Sequence, residues 1–172
     1  MFDIEKMDFC GKTILFDTIQ NYGALTGIPI NILLHDKCSP LRDGIKIHRP
    51  GTDLYLILHN DDMTMDERIR WTRAHELGHI FLGHRKDGDI EELEANMFAA
   101  QLLMPWFTIK MMGNIVRPSA DMIASTFGVS LSAANRRIMD IYHLAAPLTE
   151  HDKRIFAQQR KYIRHEPVKA VG

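Results

Sequence analysis

The sequence predicts an α+β fold: a small, mostly antiparallel sheet packed against site-bearing helices, followed by a helical C-terminal region. Three observations lead there. Apolar residues recur at helical spacing in several long stretches. Two short apolar runs, residues 45–48 and 54–59, flank Arg49-Pro50-Gly51-Thr52-Asp53, the pattern of a hairpin. The chain of 172 residues, 45% hydrophobic and 25% charged, is long enough and apolar enough to bury a core.

In chain order, residues 13–26 read as an amphipathic helix with Leu15, Ile19, Tyr22 and Leu25 facing inward, stopped by Gly27 and Pro29. Residues 28–34 read as a strand, and the hairpin follows. Its second arm, residues 54–59, is expected to form a sheet edge, where an extended peptide can add as a further strand. Thr64, with Glu67 three residues on, reads as a capping box that opens the next helix.

That helix carries His75-Glu76-Leu77-Gly78-His79. At 3.6 residues per turn, positions 75 and 79 lie about 40° apart on the helix surface, so both rings point at one spot. His-Glu-x-x-His therefore suits a zinc ion held by two imidazoles, with Glu76 beside the metal rather than on it. The face is otherwise apolar or small (Trp71, Thr72, Gly78, Leu82), and a polar pair there is costly to bury without a partner. A catalytic zinc needs a third protein ligand and one open position.

Residues 91–104 form a Gly-free run of good helix formers that stops at Pro105. On a helical wheel Glu92 shares a face with Ala95, Asn96, Ala99, Leu102 and Leu103, and Glu94 falls opposite, near Gln101. Small Ala95 and Ala99 permit close approach to the His-bearing helix, and Asn96 is placed to orient a ligand. Glu92 is thus the expected third ligand, with Glu94 the alternative. His84 reads as an exposed residue at the helix end, since Gly83 marks a stop.

Residues 119–140 have the outline helix, turn, helix, with Gly128 between two apolar patterns and Arg136 and Arg137 on the second. Residues 117–172 carry 9 Lys+Arg against 5 Asp+Glu, and residues 1–116 carry 12 against 17. Direct DNA binding through 119–140, with phosphate contacts from Arg136, Arg137, Arg154, Arg160, Lys161 and Arg164, is the weaker reading, because so modest an excess equally suits helices packed on a core. The expected division is a core at 1–116 and a helical region packed on it at 117–172. No apolar run approaches the roughly 18 residues of a membrane span, and the acidic start suits no secretory signal, so a cytoplasmic location is expected. Cys10 and Cys38 lack metal-site spacing and fit free thiols.

The block Arg73 to His79, followed by Glu92-x-x-Ala95-Asn96-x-Phe98-Ala99-Ala100-x-Leu102-Leu103-Met104-Pro105, resembles the ImmA/IrrE family of zinc metallopeptidases. The resemblance implies His75, His79 and Glu92 as zinc ligands and Glu76 as general base. It also implies a substrate: a helix-turn-helix transcriptional repressor, whose cleavage releases genes of mobile elements, prophages or stress responses. A gluzincin-like endopeptidase is the expectation. The rivals are a catalytically silent, zinc-containing regulator that binds protein or DNA, and a toxin–antitoxin component. Two histidines and a carboxylate suit manganese as well as zinc. For the oxyanion stabiliser the candidates by residue type are His59, Tyr142 and His143.

Overall fold

The computed structural model describes residues 3–34, 43–86, 88–113, 117–143, 149–150 and 153–154. The chain divides into two compact units, Asp3–Leu103 and the residues from Met104 onward. The first unit holds a three-stranded sheet in the order β1-β3-β2: β1 Thr13–Thr18, β2 Gly44–His48 and β3 Leu54–His59. With it go helices α1 Ile19–Thr26, α2 Ile30–Leu34, α3 Asp66–Phe81 and α4 Asp89–Leu103. The second unit has α5 Trp106–Gly113, α6 Ala120–Phe127 and α7 Leu131–His143. The class is α+β, and the sheet is mixed, since β1 pairs with β3 in parallel and β2 pairs with it antiparallel.

The hairpin forms as its turn chemistry requires. Gly51 takes φ +75°, the Arg49 amide donates to Leu54 O at 3.0 Å, and the Thr52 hydroxyl donates to Arg49 O at 2.8 Å. Two elements before it differ from the sequence reading. The helix expected over 13–26 is a strand and a shorter helix, because β-branched and aromatic side chains at 13–18 find backbone partners along the whole of β3. Thr18, in extended conformation, then caps α1 by accepting from the Asn21 amide at 3.1 Å. Ile19 is fully buried as expected, but Leu15 and Leu25 are exposed. The strand expected at 28–34 is the short helix α2. Pro29 lacks a donor and has a helix-compatible φ, so it starts the turn, accepting from the Ile32 amide at 2.9 Å.

Ile19, Leu33 and Leu58 form the core between sheet and helices, with Tyr22, Ile28, Ile45, Ile47 and Leu56 packed around them. β3 is the central strand, flanked on both sides, so residues 54–59 are not the sheet edge expected of them. The edges are β1 and β2. The expected capping box is absent too: Met65 is the N-cap of α3, without a side-chain bond, and Asp66 and Glu67 supply negative charge to the first turn instead.

In the second unit Ser119 caps α6, Gly128 (φ +61°) ends it, and α7 begins three residues later at Leu131. Ile123, Val129 and Ala134 are buried at this turn. Arg137 is not available to phosphates, as the weaker, DNA-binding reading of the sequence required: it is 7% exposed and its Nε donates to Met104 O at 2.8 Å. Of the other basic residues named with it, Arg136 and Arg154 are exposed, and Arg160, Lys161 and Arg164 lie outside the described residues. Cys10 is an exposed free thiol, and Cys38 lies outside the described residues. No helix among the described residues is long and apolar enough to cross a membrane.

Candidate metal centre

The centre lies where α3 and α4 touch. A Cβ built on Gly78 would sit 3.0 Å from the Cα of Ala95, 3.1 Å from its carbonyl oxygen and 3.1 Å from the Phe98 Cβ. Only glycine on α3 facing alanine on α4 lets two helix backbones come so near. Ala95 and Ala99 are fully buried in this contact face, as the wheel requires. Glu92, three residues before Ala95, is thereby set opposite the turn of α3 that bears both histidines.

His75, His79 and Glu92 each offer a ligand atom within 4.8 Å of the others. The two Nε2 atoms stand 2.9 Å apart. His75 Nε2 is 3.2 Å from one Glu92 oxygen, and His79 Nε2 is 3.3 Å from the other. Donors bound at about 2.0–2.1 Å around a tetrahedral ion lie about 3.3 Å apart, so the set has the spacing of three corners of a zinc site. Its chemistry fits as well, with two imidazoles and one carboxylate.

Proton bookkeeping supports the same use. The Asn96 Nδ2 donates to Glu92 O at 2.8 Å, which turns its Oδ1 toward His75 Nδ1 at 3.3 Å. Nδ1 of His75 therefore carries the proton and Nε2 keeps its lone pair. Burial also pushes the His75 pKa below its ordinary value, against Glu92 and Asn96, which raise it. A neutral ring is the form that ligates a metal.

Glu76 is 8% exposed on α3, one position from His75. It lies under the start of β2: a Cβ on Gly44 would meet the Thr72 Cγ2 at 2.4 Å and the Glu76 Cγ at 3.6 Å. The absence of a side chain at 44 lets this edge strand run close to the acid. Leu82, read as part of the same apolar face, is 48% exposed, because α3 has ended before it.

Glu94, the alternative third ligand, faces away and pairs with His84 Nε2 at 3.0 Å. His84 is not the exposed helix-end residue the sequence suggested. Its side chain is 7% exposed and its Nδ1 lies 3.0 Å from His79 Nδ1. A wheel extended past the helix end could not find this. The signal was Gly83, whose left-handed φ of +73° folds the chain back. Among the oxyanion candidates, His59 is 7% exposed and its Nδ1 donates to Asp17 O at 3.0 Å, a bond that joins β3 to β1. The side chains of Tyr142 and His143 lie outside the described residues.

Two helices that aim imidazoles and a carboxylate at one point, with the acid of a His-Glu-x-x-His motif buried alongside, are the frame of a metallopeptidase-like protein. More narrowly, the chain belongs to the family of IrrE N-terminal-like domains (Peptidase_M78), whose family model matches residues 38–139. No curated protein matches the chain.

Proposed function

We propose that the protein is a zinc-dependent endopeptidase and that it cleaves a helix-turn-helix transcriptional repressor. The observation that carries the enzymatic part is the meeting of His75, His79 and Glu92 at ligand spacing next to buried Glu76. The repressor enters through the family resemblance of the sequence blocks around 73–79 and 92–105.

In this reading His75, His79 and Glu92 would hold the ion. When bound, zinc supplies a Lewis acid that acidifies a water and polarises a peptide carbonyl. Glu76 accepts the proton of the attacking water and delivers it to the leaving amine. Asn96 keeps His75 in the ligating tautomer throughout. The edge strand β2 takes the substrate as an added antiparallel or parallel strand, and Gly44 brings that strand within reach of Glu76. Among the described residues β2 pairs with β3 alone, which leaves its other side for a peptide.

The test pairs metal analysis with cleavage. Wild type and Glu76→Gln are expected to hold about one zinc per chain. Incubated with purified helix-turn-helix repressors, wild type is expected to cut one of them into two fragments by mass spectrometry, and Glu76→Gln none. Fragments from both proteins would remove Glu76 from the mechanism. Zinc in both and fragments from neither would favour a silent, zinc-containing regulator.

A further inference from the structure

The end of α3 is closed by a backbone turn that returns the chain onto the helix. The Gly83 amide donates to Ile80 O at 3.3 Å and the His84 amide to His79 O at 3.0 Å, the paired bonds of a Schellman motif. Through the second of these bonds residue 84 comes to lie beside residue 79, although it is five positions later. The two rings stand edge to face, with centroids 5.0 Å apart. Beyond His84, Glu94 reaches back from α4, with its carboxylate 52% exposed and so still hydrated.

Hydrogen positions in this chain follow from its outer end. A carboxylate only accepts, so His84 Nε2 carries a proton and donates it to Glu94 Oε2 at 3.0 Å. The tautomer with its proton on Nε2 presents a lone pair on Nδ1. Across 3.0 Å, His79 Nδ1 must supply the hydrogen. His79 is left with its Nε2 unprotonated, and that is the atom facing His75 Nε2 and Glu92. The opposite arrangement puts a hydrogen on His79 Nε2, where it occupies the ligand position.

We propose that His84 and Glu94 are positioning residues of the metal centre: a carboxylate–imidazole relay that fixes the ring and tautomer of His79 for ligation. This rests on the reading of His75, His79 and Glu92 as metal ligands. The two histidines are thus held by different devices. His75 leans on a neutral amide at 3.3 Å, and His79 on an imidazole backed by a carboxylate at 3.0 Å. Partners of this kind raise ligand basicity, and their loss typically costs about 10–100-fold in metal affinity.

The experiment measures zinc affinity by competition with a chromophoric chelator, on the full chain and in four variants. His84→Phe keeps the ring volume and removes both nitrogens. His84→Asn is smaller but places an acceptor near the former Nδ1. The relay predicts that Phe weakens zinc by about 10–100-fold and that Asn recovers part of the loss. A purely packing role predicts the reverse order. Glu94→Ala is expected to weaken zinc more than Glu94→Gln, and these two exposed substitutions keep the test alive should the His84 variants misfold. Nitrogen-15 spectra of the zinc-loaded wild type should show protons on His79 Nδ1 and His84 Nε2. Zinc held equally by wild type and all four variants overturns the relay alone. A wild type that holds no zinc overturns the metal reading and the relay with it.

Discussion

At His59, burial and then the Arg73 guanidinium press the imidazole toward its neutral form, so its pKa lies below the ordinary value of 6.5. In the unfolded chain the ring regains that ordinary value. As pH falls below about 6.5 the unfolded state therefore binds a proton first, and folding stability declines until the folded-state pKa is passed. Above about pH 6.5 the group has no effect. His75 acts in the same direction. In chelator-treated protein, the urea midpoint should drop between pH 7.5 and pH 5.5, and His59→Gln should drop less. Equal drops would show that His59 does not carry the dependence. Residue by residue, the grouping of side chains was legible where a helix continues: that 75 and 79 lie together follows from one spacing, and that 92 rather than 94 faces them follows from one wheel. His84 was illegible because its position depends on a left-handed turn rather than on helical phase.

Between elements, the spacing of α3 and α4 decides whether Glu92 can reach the histidines. Replacing Gly78 by alanine in a helix interior gains about 1 kcal/mol of propensity, while overpacking costs about 1–3 kcal/mol. Here the obstructing atoms are the Cα and carbonyl oxygen of Ala95, main-chain atoms that cannot rotate aside, so the clash should win. Gly78→Ala is expected to lower the unfolding midpoint and weaken zinc, and Gly78→Leu to abolish zinc binding. A more stable Gly78→Ala with full zinc affinity would mean that α4 is free to slide. Long helices and the hairpin were legible from periodicity and turn residues. Residues 13–18 were not, since Leu15, Ile19 and Tyr22 fit a helical stripe as well as a strand followed by a helix. What settled the matter was a partner strand some forty residues downstream, which no local window contains.

On the scale of the molecule, the candidate ligands, Glu76, Asn96, His84 and Glu94 all belong to the unit Asp3–Leu103. The unit from Met104 onward keeps its own buried turn and its own buried arginine. Charge and apolar pattern anticipated a helical C-terminal region, but not that Arg137 would be spent on a main-chain carbonyl. Such a bond is written in three-dimensional proximity, not in composition.

The order of strands carries a consequence for synthesis. Both β1 and β2 hydrogen-bond to β3, the last of the three to leave the ribosome. At about 5–20 residues per second, the completed β1 waits roughly two to eight seconds for its neighbour to be made. Closing the hairpin spans only a five-residue turn, whereas landing β1 closes a loop of dozens of residues. Pulse-labelled hydrogen exchange during refolding should protect β2 and β3 amides first and β1 amides later, and simultaneous protection would contradict this sequence of events. Until the hairpin exists the nascent chain carries an unpaired first strand, and the period in which it is open to wrong pairing is set by translation speed.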